Sequence, residues 1–388
     1  MDKRIIPYGS QWICSEDIDS VKSVFDTGWI TQGPKIRQFE EAVADYCGVK
    51  YAVAVSSGTA ALHIAVLAAG LKKGDTAITT PMTFLATSNS VLYSGASPVF
   101  ADIDIDTVNI SVAQIKKKIT KRTKAILPVD FAGLPCDLAE IKNIAEENGL
   151  TVIEDACHAL GATYKDSRTG DCRYSAMTIF SFHPVKHITT GEGGMVTTNS
   201  AKLYEKLLAL RNHGMYKHSS TVKKEGPWYY EMEELGFNYR ITDLQTALGL
   251  SQMNKLDSFL ERRRGIVKEY DKAFAELGDL VILPEAERDD RRSAWHLYLF
   301  RLNKALKYIT RREFFEELHR RGIKVQVHYI PITRQPYYRK QGFKRTDFPN
   351  AEKYYKSVVS LPLYPRMTDE DVDYVVKNVK EIIRSSCG

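Results

Sequence analysis

No stretch of this 388-residue chain approaches the ~18 consecutive apolar residues of a membrane span. The opening Met1-Asp2-Lys3-Arg4-Ile5-Ile6-Pro7 has no apolar core of a secretory signal. Neither a membrane partner nor export is expected, and a cytoplasmic location is. Cysteine is scarce, with six residues at 14, 47, 136, 157, 172 and 387. They include no C-x-x-C pair and no His/Cys cluster at zinc spacing, so neither a disulfide framework nor a metal site is indicated. Dense blocks of one charge are missing too. The 54 Lys and Arg exceed the 48 Asp and Glu by only +6, spread along the chain, which argues against a nucleic-acid partner. That surplus suits an anionic substrate such as a nucleotide diphosphate. Glu261-Arg262-Arg263-Arg264 reads as the solvated face of a helix. No internal repeat or low-complexity segment is visible.

Hydrophobic residues at 44% and charged residues at 26% are those of a soluble globular protein, and the length allows a large domain with a smaller one. From residue 51 short β-branched runs alternate with helix-length segments. Strands are predicted at Tyr51–Ser56, Ala77–Thr80, Pro98–Ala101, Ala125–Val129, Thr151–Glu154, Thr178–Phe182 and Met195–Thr198. Helices are predicted at Gly58–Ala69 and near Thr83–Tyr93. The alternation implies an α/β fold with a mostly parallel sheet between helices. A long helical stretch, Thr242–Leu277, leads to a smaller α+β domain. That domain has strands at Trp295–Leu302 and Lys324–Tyr329 and helices at Thr310–Arg320, Asn350–Ser357 and Thr368–Ile383. The expected organisation is an N-terminal helix and loop segment over 1–30, positioned to fold back over a site, a large domain over 31–250 and a small one over 251–388.

Parallel sheets bind ligands in the loops after the carboxyl ends of strands, which singles out three constellations. Ser56-Ser57-Gly58-Thr59-Ala60-Ala61-Leu62 runs from a strand straight into a helix. Small residues there let free N–H groups approach a phosphate, or form no more than a capped turn. Val152-Ile153-Glu154-Asp155 delivers an acidic pair to a strand end. Asp155 suits pairing with a protonated pyridine nitrogen and equally suits capping a helix. Ser181-Phe182-His183-Pro184-Val185-Lys186, followed by Thr189-Thr190-Gly191-Glu192-Gly193-Gly194, is the most informative. A lysine in such a loop is not a typical solvated one: burial lowers the pKa of its amine and readies it to attack an aldehyde. Ser181 is placed to hold a phosphate.

With E-D-A-C-H-A-L-G-A, S-S-G-T-A-A-L and G-F-N-Y-R-I-T-D-L-Q-T-A-L-G, these blocks resemble, in order, the DegT/DnrJ/EryC1/StrS family of sugar aminotransferases. The resemblance runs from about Pro7 to the C-terminus. It implies the fold-type I architecture of pyridoxal-phosphate (PLP) enzymes and a homodimer with shared active sites. It makes Lys186 the catalytic residue that carries the cofactor and sets Asp155 against its ring nitrogen. It puts His158 near the phenolic oxygen, Phe84 on the ring, and Gly58, Thr59 and Ser181 on the phosphate. Asn238 would reach that phosphate from the partner subunit. From its position alone Phe84 reads equally as core packing.

Further blocks, I-P-Y-G, T-G-W-I-T-Q-G-P, E-G-P-W-Y-Y-E-M, Q-V-H-Y-I-P-I and S-L-P-L-Y-P, resemble the PseC-type transaminases of the pseudaminic acid pathway within that family. Those use L-glutamate and a UDP-linked 4-ketosugar, UDP-2-acetamido-2,6-dideoxy-β-L-arabino-hexos-4-ulose. The candidates for holding the sugar nucleotide are Tyr8, Gly28, Trp29, Ile30, Thr31, Ser57, His183, Arg240, Gln326, Val327, His328 and Tyr329. Tyr8 and Trp29 read equally as packing residues, and His328 as a satisfied strand histidine. Three rival readings stand beside this one. They are an aminotransferase for another nucleotide-linked 4-ketosugar, a same-fold sugar dehydrase, against which Lys186 argues, and a non-catalytic regulator.

Overall fold

The computed structural model describes residues 4–285 and 287–385; Met1 to Lys3 and Cys387 lie outside them. Strands β1 (Tyr51–Val55), β2 (Thr76–Thr79), β3 (Ser97–Phe100), β4 (Thr123–Leu127), β5 (Thr151–Asp155), β6 (Met177–Ser181) and β7 (Gly194–Thr198) form one sheet. Their spatial order is β1-β7-β6-β5-β4-β2-β3. Only β7 is reversed, antiparallel to β1 and to β6, while β6, β5, β4, β2 and β3 pair in parallel.

Each strand is short, apolar and β-branched, and both faces of the sheet are covered. Val53 and Val55 of β1 pack with the Ala-rich helix Gly58–Ala68, whereas Ala52 and Ala54 pack with Phe39 and Val43 of helix Pro34–Cys47. This explains the near-continuous apolar runs in the sequence. Helices end where the sequence permits it: Gly48 and Gly149 take the left-handed conformation just past Pro34–Cys47 and Leu138–Asn148.

A second sheet is antiparallel throughout. It contains β8 (Val281–Ile282), β9 (Tyr298–Leu302) and β10 (Val358–Leu361), with β9 central. Its core joins Tyr298 and Phe300 of β9 to Tyr270 and Phe274 of helix Leu256–Phe274, Phe314 of helix Arg311–Arg320, and Val375 and Val379 of helix Asp369–Ser385. Thr310 opens Arg311–Arg320 with a reciprocal capping bond to Glu313.

Three expectations need correction. Lys324–Tyr329 is not a strand. Lys324 N–H donates to the Ile6 carbonyl, and Gln326 alone bridges Ser360 of β10. Beyond that bridge the chain turns toward the large sheet and carries His328 and Tyr329 with it. Thr242–Leu277 is two helices, Asp243–Met253 and Leu256–Phe274. The Glu261–Arg264 run is not wholly solvated, because Arg263 is 1% exposed. Its Nη1 donates to the carbonyls of Trp295, His296 and Leu363 at 3.2, 3.3 and 2.9 Å. It thereby ties the long helix to two loops that approach the large sheet. Arg263→Met should leave those buried carbonyls unsatisfied and cost about 3 kcal/mol. Urea denaturation measures it, and a loss within about 0.5 kcal/mol, typical of a surface site, would contradict the role.

Candidate active site

The carboxyl ends of β1, β2, β4, β5 and β6 lie on one edge of the large sheet, and the loops that follow them surround a cavity of about 460 Å³. At its floor, Ser57 caps helix Gly58–Ala68 by accepting the Ala60 N–H at 3.1 Å. The Gly58 and Thr59 N–H groups then remain at the positive end of the helix. A Cβ on Gly58 would lie 2.9 Å from Ser181 Cβ and 3.1 Å from its Oγ; one on Gly194 would lie 2.4 Å from the Ser57 carbonyl oxygen. Glycine at both places lets the helix end press onto β6 and β7. Two N–H groups without a partner among the described residues and the Ser181 hydroxyl thus share one small concavity, which fits a phosphate.

Asp155, at the end of β5, is 4% exposed. Its Oδ2 accepts from the Thr87 hydroxyl at 2.7 Å, and Thr87 is in turn 2.8 Å from Thr83 Oγ1. Oδ1 accepts the Cys157 N–H at 3.3 Å. No helix follows Asp155, so the capping alternative is not what the residue does. Its neighbour Glu154 turns away from the cavity to the hydroxyls of Thr178 and Ser175.

Lys186 follows β6, its N–H donating to the His183 carbonyl at 2.8 Å. Its Nζ has no hydrogen-bond partner among the described residues. Burial lowers the pKa of that amine from 10.5, and the nearby Cys157 and Asp155 only partly oppose it. The result is a nucleophile that loses its proton more easily than a surface lysine.

The far wall comes from the second sheet's side. His158 is 5% exposed; its Nδ1 accepts the Ala132 N–H at 3.3 Å, and its Nε2 lies 3.1 Å from the Tyr329 hydroxyl. The His296 ring lies 4.4 Å from that of His158, tilted 40° to it. His328 Nδ1 is 2.8 Å from Ser360 Oγ, and the Tyr8 ring is 5.5 Å from the His328 ring. Phe84 stands at the entrance, 57% exposed, its ring 6.0 Å from that of Tyr329. Burial, first, keeps His158, His187, His296 and His328 uncharged, His328 down to about 3.

The cavity brings together Lys186, Asp155, His158, Ser181, Gly58, Thr59 and Phe84, and with them Tyr8, Ser57, His183, His328 and Tyr329. Other candidates lie outside its wall. Gly28, Trp29, Ile30 and Thr31 form a surface turn held by the Asp243 N–H on the Thr31 carbonyl at 3.0 Å, with Trp29 61% exposed. Asn238 is exposed, and Arg240 donates to Asn212 Oδ1 at 2.5 Å. The Gln326 side chain faces solvent, and Val327 packs with the Phe131 and Tyr354 cluster. Sequence reasoning did not assign Thr87, Glu192 or His296, which also line the cavity. Thr87 carried a signal, sitting one helical turn beyond Thr83; His296 lies in no motif.

The chain belongs to the DegT/DnrJ/EryC1/StrS aminotransferase family, whose model matches residues 11–380. It is 43% identical over 384 residues to the spore coat polysaccharide biosynthesis protein SpsC of Bacillus subtilis, covering 98% of each chain. Among solved structures it is similar to Helicobacter pylori PseC, an aminotransferase involved in the biosynthesis of pseudoaminic acid. That likeness has a TM-score of 0.90 at 33% identity, over 98% of this chain and 100% of the other. It is equally similar to the putative sugar aminotransferase Spr1654 of Streptococcus pneumoniae in its PMP form, with a TM-score of 0.92 at 31% identity over 98% and 100%. The fold is that of the PLP-dependent aminotransferases, and the cofactor is PLP. The concavity at Gly58 and Ser181, the fixed Asp155 carboxylate and the buried Lys186 amine fit its phosphate, its ring nitrogen and its aldehyde.

Two outcomes follow. Gly58→Ala puts a methyl group into the concavity and should weaken PLP binding about tenfold or more, equivalent to about 1.4 kcal/mol. Fluorescence titration of the cofactor-free protein reads this, and an unchanged affinity would remove the phosphate from that place. The buried histidines also set an acid limit. Each binds its proton more readily when unfolded, near pKa 6.5, than when folded, so their contribution is complete above about 6.5 and is lost as pH falls below it. For His328 the loss extends to about 3. His328→Asn should therefore flatten the fall of the thermal midpoint with acid; an unaltered profile would show that His328 protonates freely in the fold.

Proposed function

We propose that this protein transfers the amino group of L-glutamate to the C4 keto group of a UDP-linked 4-keto-6-deoxy-N-acetylhexosamine, UDP-2-acetamido-2,6-dideoxy-β-L-arabino-hexos-4-ulose. The products are 2-oxoglutarate and UDP-4-amino-4,6-dideoxy-N-acetyl-β-L-altrosamine. The observation that carries this reading is the meeting of the Lys186 amine, the Asp155 carboxylate and the Ser181–Gly58 concavity in one cavity. When bound, PLP supplies the electron sink that makes the amino-acid Cα–H acidic. Lys186 is the attachment point and, once freed, the base that moves that proton between carbon centres. Asp155, oriented by Thr87, holds a proton on the ring nitrogen. Gly58, Thr59 and Ser181 would hold the phosphate, Phe84 would face the ring and His158 would serve the phenolic oxygen.

The large domain over 31–250 carries the cofactor, and the small one over 251–388 brings His328 and Tyr329 to the sugar. Asn238, exposed on its own chain, and the apolar Trp29 and Ile30 suit contacts across a homodimer, with Asn238 reaching the partner's phosphate. Gly28, Thr31 and Arg240 would then serve the substrate from the same surface. Among the described residues no helix is long and apolar enough to cross a membrane, which accords with work on a sugar nucleotide in the cytoplasm.

The likeness to PseC favours the pseudaminic acid precursor. The higher identity to SpsC favours a second reading, an aminotransferase for another nucleotide-linked 4-ketosugar of cell-surface polysaccharide. Incubation with glutamate and UDP-, GDP- and dTDP-linked 4-ketosugars, read by product mass, separates the two. On the first reading the UDP 2-acetamido sugar exceeds its 2-hydroxy analogue about 100-fold or more in kcat/KM, because polar groups facing the acetamide would be left unpaired. Equal use of both sugars, or preference for a GDP-linked one, leaves only the second reading.

A further inference from the structure

The two ring nitrogens of His158 have different partners, and that difference fixes where its proton sits. Nδ1 receives the backbone N–H of Ala132 at 3.3 Å, so it must offer its lone pair. The ring is buried, with the Lys186 amine and the rings of His187, His296 and His328 around it, and it stays neutral. Its single proton is therefore on Nε2. Nε2 in turn faces the Tyr329 hydroxyl at 3.1 Å, and it does so as the donor. The Tyr329 oxygen accepts from His158 and cannot return its own hydrogen along the same line.

That hydrogen has no other acceptor among the described residues, and Tyr329 lines the cavity that also holds Lys186. The polarity of the chain Ala132 N–H to His158 to Tyr329 thus runs one way, from the backbone toward the cavity. Burial holds the phenol protonated. The His296 ring lies 4.4 Å from that of His158, tilted 40° to it, and Tyr329 N–H rests on Met82 Sδ at 3.4 Å.

We propose that Tyr329 is the proton donor to the oxygen that leaves C4 of the keto substrate, and that His158 is the positioning residue that turns the Tyr329 hydroxyl hydrogen into the cavity. The inference rests on the reading of the substrate as a ketosugar. When the incoming nitrogen bonds to C4, the C4–O bond must break, and the oxygen departs as water carrying two protons. The incoming amine sheds two protons as its double bond to C4 forms: one passes to the departing oxygen, and the other restores the proton that Tyr329 gives to that oxygen. No electron leaves or enters the system. His158 Nε2–H steadies the phenol oxygen while its charge grows, as a neutral donor already in place.

The first test needs no cofactor. In the ligand-free wild type, nitrogen-15 NMR of the His158 ring should show a neutral imidazole protonated on Nε2 at neutral pH. A ring protonated on Nδ1, or on both nitrogens, overturns the proposal. The second test separates the half-reactions of the PLP-loaded enzyme by stopped flow. Tyr329→Phe should slow the ketosugar half-reaction about 100-fold or more while slowing the glutamate half-reaction far less, and an unchanged far-UV circular dichroism spectrum certifies folding. An equal loss in both halves, or none in the sugar half, sinks the role of Tyr329 and leaves the aminotransferase reading intact. A wild type that converts glutamate but is inert to every ketosugar sinks both.

Discussion

Backbone and side chain meet at Gly58 and Gly194 with no room for a Cβ: 2.9 Å to Ser181 at one, 2.4 Å to the Ser57 carbonyl oxygen at the other. This close packing of the helix Gly58–Ala68 onto β6 and β7 is the constraint on which the site depends. It brings the Gly58 and Thr59 N–H groups against the Ser181 hydroxyl, and it sets the start of the Lys186 loop relative to the end of β5. A larger residue at either glycine would lift the helix end away and leave a phosphate with one donor in place of three. The sheet order serves the same end. Reversing β7 alone lets β6 hand its chain to the Lys186 loop and receive it back beside β1, so that Ser57 and Ser181 become neighbours.

Around this floor the electrostatics are set by burial more than by charge pairing. Among the described residues no carboxylate bonds Lys186, and burial makes its amine easier to deprotonate. The Asp155 carboxylate is held by a hydroxyl, Thr87, and not by a cation, which leaves its charge available to a ring nitrogen. The imidazoles of His158, His187 and His296 lie against one another without charge. They form a polar but neutral wall in which hydrogen-bond direction carries the information. Arg263, buried behind them on three carbonyls, holds that wall to the long helix.

Much of the fold was legible because the strands of the large sheet are short, mostly apolar runs, several of them closed by Ser or Pro as at Ser56, Pro81 and Pro128, and β1 to β7 lie within a residue or two of where those runs predict them. The edge that gathers the post-strand loops followed from parallel pairing, and Lys186, Asp155 and Ser181 followed from that edge. Other features depended on distant partners. Gln326-Val327-His328-Tyr329 alternates like a strand, yet only Gln326 finds a ladder partner in Ser360. Arg263 stands in a charged run, and the Leu363 carbonyl that helps bury it lies 100 residues away. His296 belongs to no motif and gains its place only when β9 packs beneath the cavity. Gly28 to Thr31, Asn238 and Arg240 matched family blocks but sit on the surface of their own chain, a position that one chain's sequence cannot distinguish from the cavity wall.

The central claim is that Lys186 is the residue to which the cofactor is joined. Reduction of the PLP-loaded protein with borohydride, followed by digestion and peptide mass mapping, tests it most directly. The account predicts one modified peptide, spanning Lys186, with the added phosphopyridoxyl mass on that lysine. A label on any other lysine, or none after reduction of a visibly coloured protein, would contradict it.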